Sequence, residues 1–153
     1  MIFDRLADWE TPYALCAITR SEKFEVVTVG FSQQPITTMG GLKLIPEIPL
    51  PYVDQDEASI FILPGGEMWE RQSDANLQQL LLKLHEAQVP IAAICGGTLE
   101  VVRAGLTHKL RHTSNSKQYL KTNVSDYKDE AFYVDQLAVT DQHIITGERH
   151  GRD

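Results

Sequence analysis

Cys95 is the residue in this chain best placed by its neighbours to do chemistry. It stands in Pro90-Ile91-Ala92-Ala93-Ile94-Cys95-Gly96-Gly97, where a short unbroken apolar run meets helical spacing from Leu99 to Gly105. Ala93-Ile94-Cys95-Gly96-Gly97 reads small-x-nucleophile-x-small, the pattern of a nucleophile elbow in which small neighbours let strand turn sharply into helix. Ala93 takes the place of the usual first glycine, so the match is to the mechanics of the turn. A cysteine at a helix N-terminus meets unpaired backbone N–H groups and the positive end of the helix dipole, which favour thiolate and make the sulfur nucleophilic and oxidisable. The competing reading is a buried, inert cysteine. Cys16, on the apolar side of an early helix, is expected in the core.

Two further features follow strands and are therefore candidates for the same place. Glu10 lies in Ala7-Asp8-Trp9-Glu10, just before a helix opened by Pro12. Its carboxyl group can hydrogen-bond the Cys95 sulfur if desolvation keeps it partly protonated; the alternative is a solvated first-turn glutamate. Gly65-Gly66 ends the apolar run Ser59 to Leu63, and with the N–H of Gly96 it is a candidate oxyanion hole or a cradle for an oxidised cysteine. The alternative is a tight turn. Among the histidines His112 is the best remaining candidate base, although a surface position suits it as well, and Asn115 in the same run is an accessory candidate. His85 is expected at the solvent edge of a helix, and His150 lies in a polar tail. His108 and His112 are spaced i, i+4 without an HExxH glutamate, and the two cysteines match no zinc pattern, so no metal and no cofactor are expected.

The elements that must hold these residues alternate between strand and helix. Ile2-Phe3 reads as the end of a first strand and Phe24 to Val29 as the next, with a helix carrying Tyr13, Leu15 and Ile18 between them. Met39 to Pro46 suggests a small hairpin. Asp74 can cap a helix whose Leu77, Leu80, Leu81, Leu84 and Ala87 share one face. Phe132 to Val134, Leu137 to Thr140 and His143 to Thr146 suggest two or three late strands. Such alternation predicts an α/β domain with a mostly parallel sheet, in which ligands bind beyond the carboxyl ends of the strands. Glu10, Gly65-Gly66 and Cys95 are all placed at that edge.

With 153 residues the chain is expected to form one domain, 1–153, able to bury a core without staples. A net charge of −7 disfavours a nucleic-acid or anionic-membrane surface and leaves a small-molecule substrate as the expected partner. No apolar run approaches the roughly 20 residues of a membrane span, and the first residues lack a signal-peptide pattern, so a cytoplasmic protein is expected.

At Ala7-Asp8-Trp9-Glu10, Leu63-Pro64-Gly65-Gly66, Ala92-Ala93-Ile94-Cys95-Gly96-Gly97, Tyr133-Val134-Asp135 and Val139-Thr140-Asp141 the chain resembles the ThiJ/PfpI family of the class I glutamine amidotransferase-like superfamily. Arg111-His112-Thr113-Ser114-Asn115 is most similar to bacterial members described as intracellular proteases or amidases. The resemblance implies a flavodoxin-like three-layer sandwich, usually a homodimer. It also implies Cys95 as nucleophile or redox sensor, Glu10 hydrogen-bonded to it, and Gly65, Gly66 and Gly96 as backbone donors. The activities it implies range from peptidase or amidase to glyoxalase or deglycase, with a redox-responsive stress or chaperone role as the non-enzymatic alternative. Two departures stand out. Gly96 replaces the histidine that follows the cysteine in peptidase-like members, and the polar run Glu148 to Asp153 stands where members continue into an apolar helix. The resemblance thus implies a domain shortened at both ends, lacking its C-terminal helix and leaving an apolar patch on one sheet face.

Overall fold

Unbroken apolar runs form the centre of the molecule. In the computed structural model, which describes residues 1–149, Phe61–Leu63 (β5), Ile91–Ile94 (β6), Ala138–Asp141 (β7) and Ile144–Gly147 (β8) make a four-stranded sheet in the order β5-β6-β8-β7. β5, β6 and β8 run parallel, and β7 closes the edge antiparallel through the turn before Ile144. Ahead of them stand the helix Pro12–Arg20 (α1) and the short strands Val29–Gly30 (β1), Ile36–Thr37 (β2), Lys43–Leu44 (β3) and Ile48–Pro49 (β4). β1 pairs parallel with β4, while β2 and β3 form the hairpin expected around Gly40-Gly41. The helices Ala75–Glu86 (α2), Thr98–Arg103 (α3) and Lys117–Asn123 (α4) complete an α/β, flavodoxin-like fold.

Register decides which side chains are inside. Phe61, Ile91 and Ile144 align across the sheet, as do Leu63, Ala93 and Thr146, and all six are buried. Leu77, Leu80, Leu81 and Leu84 of α2, with Leu99 and Val101 of α3, cover that face. Side chains alternate along a strand, so Ile62, Ala92 and Ile145 point the other way, and there they are only half-buried. Asp74 caps α2 by accepting the Leu77 N–H at 2.8 Å.

Several expectations are corrected. Phe24 to Thr28 is not a strand, because the Thr28 N–H and hydroxyl bond the Glu47 carboxylate at 2.7 and 2.8 Å, and ladder pairing begins only at Val29. Ile2 is not in a strand either, although its N–H donates to Val29 O at 2.7 Å. Residues 132–134 form a short turn and a single bridge from His112 to Tyr133. Cys16 is exposed, not core: α1 buries none of its residues. Ala87 is exposed at the C-cap of α2, and His85 is half-buried with its Nδ1 2.6 Å from Nε2 of His143. His150 and the rest of the polar tail beyond Arg149 lie outside the described residues.

Candidate functional site

The elbow is built by three neighbouring devices. Cys95 has φ 54°, a left-handed conformation that costs a non-glycine residue about 1–3 kcal/mol and turns its side chain away from the strand. Gly97 lets the turn close, since a Cβ there would lie 2.4 Å from the Leu63 carbonyl oxygen and 3.0 Å from that of Pro64. The Thr98 hydroxyl then locks the turn, donating to the Cys95 carbonyl at 2.6 Å and lying 2.6 Å from the Ser114 hydroxyl. A single turn, Cys95–Gly97, leads into α3.

Glu10 reaches the elbow because the preceding turn is fastened to the end of β5. The Ala7 N–H donates to Gly65 O at 2.9 Å, Leu6 bridges Gly66, and the Gly65 N–H donates to Glu10 Oε2 at 2.6 Å. On its other side the turn is tied by Asp8, whose carboxylate accepts the Thr38 hydroxyl at 2.6 Å. A Cβ on Gly65 would meet Glu10 Oε1 at 2.7 Å and Cys95 Cβ at 2.8 Å, so only glycine lets carboxyl and cysteine close on one another. Glu10 Oε1 is buried with no donor in bonding geometry, and the Cys95 thiol is close enough to act on the ionisation of the carboxyl group.

Electrostatics follow from this packing. Burial raises the Glu10 pKa against the lowering effects of the Gly65 N–H and the thiol. Burial also raises the Cys95 pKa; the Asn115 amide and the Gly96 N–H pull the other way, and the Glu10 charge adds to the rise. The expectation of a thiolate stabilised by a helix N-terminus is therefore corrected. One tight turn followed by the six-residue α3 offers less than desolvation removes.

Asn115 Nδ2 donates to Cys95 Sγ at 3.3 Å, and its Oδ1 accepts the Arg149 N–H at 2.9 Å, which fixes the amide with its donors toward the sulfur. His112 is not a surface residue. It is fully buried, with Nδ1 2.8 Å from Leu110 O and Nε2 2.7 Å from the Tyr127 hydroxyl, so neither nitrogen is turned to Cys95. The Gly65 N–H, expected as an oxyanion donor, is occupied by Glu10. Gly66 packs against the Phe3 ring. Cys95, Glu10, Gly65, Gly96 and Asn115 thus come together, and His112 does not join them. Among the described residues no three His, Cys, Asp or Glu side chains gather as a metal site. A groove of about 420 Å³ beside Arg103, His108 and Tyr127 does not include Cys95.

Sequence reasoning overlooked the Thr98 and Ser114 hydroxyls and Tyr119. Ser116 caps α4 by accepting the Tyr119 N–H at 2.9 Å, which sets Tyr119 in the first turn, facing Gly96. The Ser116-x-x-Tyr119 spacing was the available signal.

Known proteins are similar to this chain over nearly its whole length. The family model described as DJ-1/PfpI matches residues 1–152. A Bacillus subtilis protein named uncharacterized protease YoaZ is 34% identical over 95% of this chain and 72% of its own. A Thermococcus kodakarensis deglycase is 27% identical over 92% of this chain and 86% of its own. Among solved structures, a thiJ/pfpI family protein from Bacillus anthracis superposes with a TM-score of 0.88 at 32% identity, covering 96% of this chain and 73% of that one. Among the described residues no helix is long and apolar enough to cross a membrane. On the full-length family match and these relatives, the chain belongs to the DJ-1/PfpI family.

Proposed function

We propose that this protein is a cysteine-dependent enzyme acting on a small carbonyl compound, with Cys95 as nucleophile and Glu10 as the base that takes its proton. The observation carrying this reading is the desolvated carboxyl group of Glu10 pinned beside the thiol. A thiol with a raised pKa attacks slowly unless a base removes its proton as the new bond forms, and a carboxylate with a raised pKa is the better base. Relatives are named as proteases and as deglycases. The surroundings of Cys95 favour carbonyl over amide chemistry. Thiol addition to an aldehyde needs one proton moved from sulfur to oxygen. Amide hydrolysis also needs an acid for the leaving amine, and both nitrogens of His112 are engaged elsewhere. The same reading takes a cytoplasmic setting and a homodimer as its context.

A second reading, a redox-responsive protein without turnover, draws on the two donors already on the sulfur, Asn115 Nδ2 and the Gly96 N–H, which could hold the oxygens of an oxidised cysteine.

The pH dependence of turnover tests the first reading. Glu10 must be a carboxylate to act as base, so kcat/KM for methylglyoxal consumption falls as pH drops through its raised pKa. The acid limb is expected above the ordinary glutamate value of about 4.3, and in Glu10→Gln both the limb and most of the rate are lost. An acid limb retained unchanged in Glu10→Gln would remove Glu10 from the role.

A further inference from the structure

The mechanism above leaves one polar group at the elbow unused. Tyr119 Oη is sealed from solvent and makes no hydrogen bond of good geometry, and the one carboxylate that bears on it is that of Glu70. It lies 3.4 Å from the point where a side chain on Gly96 would begin, in a ring completed by Trp69 Cδ1 at 3.2 Å and Gly66 O at 3.3 Å. Its position is fixed at both ends of α4. Ser116 caps the first turn, and the Arg103 guanidinium donates to Asn123 O at 3.0 Å and to Trp69 O at 2.8 Å, tying α4 to the segment that carries Trp69. Burial and the nearby Glu70 carboxylate keep the phenol protonated across the physiological range. A buried O–H without an acceptor is unfavourable unless a bound ligand supplies one.

Resting on the reading of Cys95 as a carbonyl nucleophile, we propose that the Tyr119 hydroxyl is a further catalytic residue, the donor that receives the substrate's carbonyl oxygen. As the sulfur–carbon bond forms, the π pair of the C=O moves to oxygen and the thiol proton passes to Glu10. The developing alkoxide accepts a hydrogen bond from Tyr119, and the proton held by Glu10 then neutralises it. The enzyme-bound adduct is a hemithioacetal, formed with no oxidant or reductant consumed, and its S–C bond must break again before Cys95 turns over. Tyr119 fills the place left when the Gly65 N–H is committed to Glu10.

The test separates Tyr119 from the reading beneath it. Iodoacetamide alkylates Cys95 by displacement and creates no oxyanion, whereas methylglyoxal does create one. Methylglyoxal is expected to protect Cys95 of the parent protein from alkylation. In Tyr119→Phe the half-protecting concentration should rise roughly tenfold and kcat should fall on the order of 10²-fold. The alkylation rate without aldehyde should stay within about twofold, since Tyr119 is not among the groups that shift the Cys95 thiol. A thermal midpoint matching the parent establishes that the variant is folded. Equal protection and kcat in parent and Tyr119→Phe would overturn the assignment while leaving Cys95 as nucleophile. Absence of protection in the parent would overturn the underlying reading and this one with it. A change in the aldehyde-free alkylation rate as large as the loss of protection would make Tyr119 a structural support and overturn the catalytic role.

Discussion

Cys95→Ala is expected to lower methylglyoxal turnover on the order of 10³-fold or more, to the rate of the uncatalysed reaction, with little loss of stability. Among the described groups at the elbow the sulfur is the strongest nucleophile, and the groups around it have no substitute task. Asn115 donates, Gly96 donates, and Glu10 takes a proton that the variant no longer offers. Stability is spared because Cys95 is only partly buried and makes a weak sulfur hydrogen bond. Turnover by purified protein with and without Cys95 gives the answer. Equal rates would end the nucleophile assignment; equal rates with peroxide adding two oxygens to Cys95 by intact mass would favour the redox reading.

Gly97→Ala is expected to have the largest effect on stability, about 3 kcal/mol. The new methyl group would meet the Leu63 and Pro64 carbonyl oxygens, which are backbone atoms of β5 and its exit and cannot swing aside. Either the elbow lifts or the strand end moves, and in both cases Cys95 and Gly65 separate. A protein of this size loses roughly 2–4 °C of thermal midpoint per kcal/mol, so a fall of roughly 6–12 °C is expected. Gly105→Ala is the control. Gly105 has φ +75° with nothing within 4 Å of a Cβ, so only left-handed strain of about 1 kcal/mol applies. A Gly97→Ala protein melting within about 2 °C of the parent would show that the turn is looser than described.

What the sequence disclosed, and what it hid, follows from range. Ser59 to Leu63, Ile91 to Ile94 and the leucines of α2 are contiguous or periodic, and each holds the expected strand or helix, the first of them shortened to Phe61–Leu63. The elbow was legible because small residues flank Cys95 locally. Thr28 misled because its N–H is claimed by the Glu47 side chain, a partner 19 residues away. Cys16 misled because amphipathic spacing says which face would be buried, not whether anything covers it. His112 is buried by Tyr127 and Tyr133, two rings from a distant irregular segment with no periodic signal. The Glu10 position was suggested by the family resemblance; its physical cause, the bonds tying Ala7 to Gly65 and Gly65 to Glu10, spans more than 50 residues and leaves no local trace. Thiol ionisation was misjudged because helix ends can be read from sequence and burial of one sulfur cannot.

The central claim, that Cys95 rests as a thiol held protonated by burial and by Glu10, is tested most directly by the rate of Cys95 alkylation as a function of pH in the parent and in Glu10→Gln. The parent midpoint should lie above the ordinary cysteine value of about 8.5, and in Glu10→Gln it should fall, because removing a nearby carboxylate charge makes the thiolate easier to form. A parent midpoint at or below the ordinary value, or one that Glu10→Gln leaves in place, would contradict it.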